Sequence, residues 1–256
     1  MAETKLVRIA AVSDLHYGKH SKNAVKDLFE AASARADVLL LCGDLTDYGL
    51  AEEAEILAAD IRAFVRIPVL GVLGNHDFES GTAATVREIM EDVGVDMLDG
   101  ECAEVNGVGF AGVAGFGGGF GRHMLNAWGE SLIKQFVQAS VEEALKLEQA
   151  LTKMETEHRV VLMHYAPICQ TVQGEPLEIY PFLGSSRLEE PLNRFQVLSC
   201  FHGHAHKGAP EGRTSAGIPV YNVSLQVLKA LDKEEPPFRM LEVDTSIPAP
   251  TVEVAV

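Results

Sequence analysis

The sequence predicts an α/β domain built on a parallel sheet. Short apolar runs alternate with longer amphipathic stretches through the first hundred residues, a βαβαβ rhythm that implies right-handed crossovers. The run 37–42 is unbroken in apolar character, as a strand buried on both faces should be. Further on, the dipeptide Asn106-Gly107 inside 102–115 reads as a hairpin, and the later strands are expected to supply a second, largely antiparallel sheet.

The elements follow in order. Residues 6–12 read as a strand and 21–34 as a helix with Ser21 at its N-cap. A second strand covers 37–42, a helix 51–64, a third strand 68–73 and a third helix 82–92. After the 102–115 hairpin comes a glycine-dense loop, 115–121, and a long helix over 131–157, whose apolar residues are read as packing on the sheet. Strands at 159–164 and 196–201 flank a loop and a short helix, and 217–223 and 240–254 are strand-like with proline breaks. No repeat or linker divides the chain, so residues 1–256 are read as one domain.

The chain has 256 residues, with 21 Lys and Arg against 37 Asp and Glu, for a formal charge of −16. Affinity for duplex DNA comes mostly from Lys and Arg neutralising phosphates, so this balance disfavours duplex nucleic acid as a partner. The same charge disfavours an anionic membrane surface. The first residues lack a secretory leader and no run is long enough to cross a bilayer, so a cytoplasmic location is expected. Cys42, Cys102, Cys169 and Cys200 match neither a zinc-knuckle spacing nor a disulfide framework and are read as reduced thiols.

Five polar clusters each follow the end of an expected strand: Asp14-Leu15-His16, Gly43-Asp44-Leu45-Thr46-Asp47, Gly74-Asn75-His76-Asp77, His164, and Gly203-His204-Ala205-His206. In open α/β sheets, ligands collect beyond the carboxyl ends of the strands, so these distant segments can converge. Any one cluster alone is an ordinary turn or a core histidine. Together, Asp14, His16, Asp44, Asn75, His164, His204 and His206 form an oxygen and nitrogen donor set without thiolate. That set suits Mn, Fe, Zn or Co rather than Ca or a structural zinc. It exceeds the needs of one ion and suits two ions sharing a carboxylate, about 3.5–4 Å apart.

In order and spacing, the clusters resemble the five blocks of the calcineurin-like metallophosphoesterase superfamily: D-x-H, G-D-x-x-D, G-N-H-D/E, a lone H and G-H-x-H. The resemblance implies a four-layer α/β/β/α sandwich, two mixed sheets flanked by helices. It implies that Asp14, His16 and His206 hold one metal, that Asn75, His164 and His204 hold the other, and that Asp44 bridges them. His76 is then the catalytic histidine that is not a ligand, with Asp47 orienting it. The activity implied is phosphoester hydrolysis by a hydroxide bridging the two ions.

Departures narrow the branch. Protein Ser/Thr phosphatases carry Arg where this chain has Tyr48 and Glu where it has Asp77. The local wording is more similar to the class III cyclic-nucleotide phosphodiesterases and their relatives. The expectation is therefore a phosphodiesterase acting on a small soluble phosphodiester, such as a cyclic nucleotide. A phosphomonoesterase or nucleotidase is the alternative, and a catalytically inactive scaffold a third reading. Tyr17, Tyr48, Arg122 and His123 are candidate substrate contacts, with His20 and Tyr165 as further neighbours of the clusters; the glycines before Arg122 either swing a cation over a phosphate or simply give a mobile loop. A homo-oligomer, and the part played by the C-terminal stretch, stay open.

Overall fold

The computed structural model describes residues 5–231 and 235–249. The strands are β1 (Leu6–Val12), β2 (Val38–Cys42), β3 (Val69–Val72), β4 (Val95–Met97), β5 (Glu101–Val105), β6 (Val108–Val113), β7 (His158–Met163), β8 (Ser199–His202), β9 (Glu211–Arg213), β10 (Pro219–Asn222) and β11 (Arg239–Asp244). The helices are α1 (Lys26–Arg35), α2 (Ala51–Phe64), α3 (Ala83–Asp92), α4 (Ser131–Lys153), α5 (Tyr180–Leu183), α6 (Glu189–Arg194) and α7 (Leu225–Leu231).

Two sheets form, ordered β11-β1-β2-β3-β4 and β5-β6-β7-β8-β10-β9. They pack face to face through β2 and β3 on one side and β6 and β7 on the other. Helices α1 to α3 pack with one another over the first sheet, and α4 lies on β5 and β6 of the second. The result is the expected α/β/β/α sandwich with two mixed sheets. All five residues of β2, Val-Leu-Leu-Leu-Cys, are buried, because this strand lies between the other sheet and the helix layer.

The second sheet differs from the sequence expectation. Pairs β6–β7, β7–β8 and β8–β10 are parallel, and only the edge strands β5 and β9 run antiparallel. The hairpin at Asn106-Gly107 forms as expected, but it reports only its own local pair. Parallel neighbours need a long crossover, and α4 supplies one between β6 and β7.

The first helix also starts later than expected, at Lys26, and Ser21 does not cap it. Asn23 has φ +64, a left-handed residue that a helix cannot run through, and the Ser21 hydroxyl accepts the Gly18 amide instead. Helix α4 stops at Lys153, where Met154 turns extended ahead of β7. Of the expected C-terminal strand 240–254, residues 240–244 pair with β1, and residues beyond 249 lie outside the described ones. Among the described residues no helix is long and apolar enough to cross a membrane.

The parallel strands of both sheets end on the same side. Ser13-Asp14 follows β1, Gly43-Asp44 follows β2, Gly74 lies just past β3, His164 follows β7 and Gly203 follows β8. Topology alone therefore gathers the five polar clusters.

Candidate metal centre

The loops after β1 and β2 continue the strand pairing into the site. Asp14, His16 and Tyr17 donate their amides to the carbonyls of Gly43, Asp44 and Leu45 at 3.0, 3.1 and 3.0 Å. Asp14, His16, Asp44 and His204 have φ of +59°, +45°, +48° and +68°. The described residues include only three other non-glycine residues at positive φ. Each such residue costs ~1–3 kcal/mol, so strain concentrated here marks a site held by its surroundings for a purpose other than stability.

Close packing explains the glycines. A side chain on Gly74 would bring its Cβ within 2.3 Å of Asp44 Oδ1. One on Gly203 would bring its Cβ within 2.3 Å of Asp14 Oδ2. The glycine of one cluster thus makes room for the carboxylate of another.

Two donor groups share Asp44. Donor atoms of Asp14, His16, Asp44 and His206 lie within 4.8 Å of one another, and so do those of Asp44, His164 and His204. In the first group the Nε2 atoms of His16 and His206 face each other at 3.4 Å. His206 Nε2 is 2.9 Å from Asp14 Oδ1, and His16 Nε2 is 3.7 Å from Asp44 Oδ2. In the second, His164 Nε2 is 3.4 Å from Asp44 Oδ1 and 2.9 Å from Asn75 Oδ1. Lone pairs converging like this repel unless a proton or cation lies among them. The absence of thiolate agrees: Cys42 and Cys200 are buried, with burial pushing both thiols up. The residues present fit first-row transition ions.

Backbone carbonyls fix the rings. A carbonyl only accepts, so the nitrogen facing it carries the proton. Cys42 O takes the Nδ1–H of His164 at 3.1 Å, and Phe182 O takes the Nε2–H of His204 at 3.1 Å. The other nitrogen of each ring is left with its lone pair for a metal. Burial drives His204 down to about 3, so its imidazole is neutral, the ligand form. Asp14 is fully buried, which raises its carboxyl, but the hydrogen bond from His206, together with the histidines around it, outweighs burial and holds it ionised.

His76 is differently placed. Its Nδ1–H donates to the backbone carbonyl of Asp47 at 2.6 Å. The carbonyl of Asp47, not its carboxylate, therefore orients His76. The carboxylate faces His16 Nδ1 at 3.5 Å. Burial lowers His76, but the Asp47 carbonyl and the charges of Asp44 and Glu79 outweigh it and raise its pKa. His16, Asp47 and His76 form a third donor group, which overlaps the first through His16.

The remaining candidates separate. Tyr17 was expected beside substrate, but its side chain is wholly buried and its hydroxyl donates to Asp60 at 2.8 Å. The β1 loop pairs with the β2 loop, which turns this side chain inward. Arg122 and His123 lie on an exposed turn, and their side chains hydrogen-bond to each other rather than to the cluster. Tyr48 is exposed on the loop that carries Asp47. The rings of Tyr165 and His204 lie 4.5 Å apart. His202, the third histidine of its run, is buried, donates from Nδ1 to the Gly203 carbonyl and accepts from the Thr171 hydroxyl at 2.7 Å. It is a structural histidine, held near pKa 4 by burial.

Sequence reasoning missed Asp77 as a keystone. Its buried carboxylate accepts the amides of Leu45, Thr46 and Gly74 and the Thr46 hydroxyl, between 2.6 and 3.2 Å. It ties the Gly43 cluster to the Gly74 cluster. Its only sequence signal is an acid three residues after a turn glycine. The carbonyls of Cys42 and Phe182 carry no residue signature at all.

Comparison with known proteins agrees with this geometry. The model of the calcineurin-like phosphoesterase family matches residues 7–208. Among solved structures the fold is similar to the phosphopantetheinyl hydrolase of Mycobacterium tuberculosis, with TM-score 0.69 and 16% identity over 97% of this chain and 100% of that one. It is also similar to GAP50, the anchor in the inner membrane complex of Plasmodium, with TM-score 0.56 and 11% identity over 88% and 73%. A third is TT1561 of Thermus thermophilus, with TM-score 0.52 and 16% identity over 87% and 91%. At these identities the likeness is one of fold. No curated protein matches by sequence. The family match runs from the first strand to just past His206, the span that carries the shared-carboxylate geometry, and the chain therefore belongs to the calcineurin-like phosphoesterase family, as a metal-dependent phosphoester hydrolase.

Proposed function

We propose that this hydrolase cleaves a small soluble phosphodiester, such as a cyclic nucleotide, with two transition-metal ions (Mn, Fe or Zn) as cofactors. The observation that carries this reading is Asp44, whose two carboxylate oxygens face the two donor groups. Asp14, His16, Asp44 and His206 would hold one ion, and Asp44, Asn75, His164 and His204 the other. Bound there, the ions supply Lewis acidity towards water and the phosphoryl oxygens.

The chain's own residues do the rest. Asp44 Oδ1 accepts the His76 amide at 2.8 Å, which sets the backbone of His76 against the bridging carboxylate. The Asp47 carbonyl holds the Nδ1 proton, so the protonated ring presents Nε2–H outward to the leaving oxygen. Asn75 adds a neutral donor that leaves the positive charge of the centre intact. The net charge of −16 keeps long polyanions away, while one phosphodiester can bind, because surface charge is screened over ~8–10 Å. Duplex nucleic acid and membranes are accordingly outside this reading, and a cytoplasmic setting is part of it.

Hydrolysis of bis-p-nitrophenyl phosphate and p-nitrophenyl phosphate by the Mn-loaded protein tests the proposal. The diester is expected to have the higher kcat/KM, with His76→Ala and Asp44→Asn impaired. A clear preference for the monoester would overturn the phosphodiesterase assignment in favour of a phosphomonoesterase.

A further inference from the structure

A cleft of about 420 Å³ opens beside the second donor group, with Asn75 and Tyr165 among its lining. Its size falls in the usual range of ligand sites, ~300–1,000 Å³. Neither the metal donors nor His76 require it. Phe78 and Phe116 wall it, and the Phe116 ring is braced by Phe136 and Tyr165 at 5.0 and 5.8 Å. Ala114 and Ala139 leave the space between these rings and α4. Tyr165 lines the cleft, and its hydroxyl has no hydrogen bond among the described residues.

Charged side chains also line the cleft: Asp99, Glu142, Glu143 and Lys146. The Lys146 ammonium is already engaged, at 2.9 Å from Asp99 and 2.7 Å from Glu143. Among the described residues Glu142 has only the Gln138 amide, at 3.1 Å. Three carboxylates against one engaged ammonium leave the cleft net negative. A smaller cavity of about 170 Å³ shares Phe78, Asp99 and Ala114 and extends the groove along α3.

We propose that this cleft receives the organic part of the substrate, and that it selects an elongated group, apolar along its length and neutral or cationic at its far end. The proposal rests on the phosphoesterase reading, because the phosphoryl group must sit at the metals for the organic part to reach past Asn75, and within that reading it favours an open-chain diester over a cyclic nucleotide. Phe78, Phe116 and Ala139 would contact the apolar stretch. Glu142 would face the terminus, repelling a second anionic group and attracting an ammonium.

Calorimetric titration of the Mn-loaded protein tests this without requiring turnover. The probes are monoesters, the product class of a phosphodiesterase: methyl phosphate, 6-aminohexyl phosphate and the phosphate ester of 6-hydroxyhexanoate. The aminohexyl ester is expected to bind at least tenfold tighter than either of the others. In Ala139→Trp, which fills the cleft from an accessible helix position, that advantage should vanish while methyl phosphate binds as before. Glu142→Gln should narrow the gap between the amino and carboxylate esters. Equal affinity for the three probes in the wild type, or an advantage that survives Ala139→Trp, would overturn the proposal. Failure of methyl phosphate itself to bind would overturn it too, and would at the same time strike the underlying phosphoesterase reading, whereas equal affinities would leave that reading standing.

Discussion

His76 Nδ1 lies 2.6 Å from the backbone carbonyl of Asp47, while the Asp47 carboxylate turns to His16. A carbonyl is present whatever side chain position 47 carries. The orientation of the catalytic candidate is therefore built into the loop after β2. Substituting Asp47 by Asn should leave His76 in place and reduce kcat only modestly. His76→Ala should lower kcat by about 10²–10⁴-fold, the usual range for loss of a positioned acid. Its metal content, measured by elemental analysis, should match that of the wild type. Loss of metal in His76→Ala would make it a ligand instead.

Asp77 accepts four hydrogen bonds from two loops that each carry metal donors. Asp77→Asn turns one acceptor oxygen into an NH₂ group facing N–H donors. Leaving buried donors unpaired costs ~1–3 kcal/mol each, so the melting temperature should drop by several degrees. Metal affinity, read by titration, should fall by ~10–100-fold, as it does when the supports of metal ligands are removed. A variant with wild-type melting and metal binding would reject the keystone role.

Gly74→Ala tests the close approach directly. Its Cβ would need the space of Asp44 Oδ1 and of the Asp44 amide. Either Asp44 or the loop must shift, and Asp44 serves both donor groups. Metal binding should fall at both donor groups together. Loss of one ion alone would show that the two groups do not depend on a common carboxylate.

Tyr17→Phe separates packing from binding. The change leaves the Asp60 carboxylate with the Asn23 amide as its remaining partner among the described residues. A stability loss of ~1–3 kcal/mol in denaturant unfolding is expected. Phosphoester hydrolysis under saturating metal should be unchanged. A rise in KM without loss of stability would return Tyr17 to the substrate site.

Metal should stabilise the native state. An ion at 100 times its dissociation constant adds about 2.7 kcal/mol when it binds only the folded chain. Chelation should lower the melting temperature by several degrees, and Mn should restore it. In Asp44→Asn the Mn-dependent rise should largely disappear, because both groups lose a shared donor. A full rise in that variant would contradict the shared site.

The sequence by itself determined the strand rhythm of the first sheet and the donors at strand ends. Apolar runs such as 37–42 must be buried, and the polar residues that follow them must then emerge at a sheet edge. It also determined the donor chemistry, since residue type sets which metals are acceptable. It did not reveal that β6, β7, β8 and β10 run parallel, because a hairpin dipeptide reports only its own neighbours and strand direction is set by distant crossovers. Nor did it show that Tyr17 points inward while His16 beside it joins the donor cluster with Asp14, Asp44 and His206, a difference decided by which strand its loop pairs with. The carbonyls of Cys42, Asp47 and Phe182 that fix three histidine rings belong to the backbone, which every residue carries alike. Only the tertiary fold places those carbonyls, and the cleft beside Asn75, where they act.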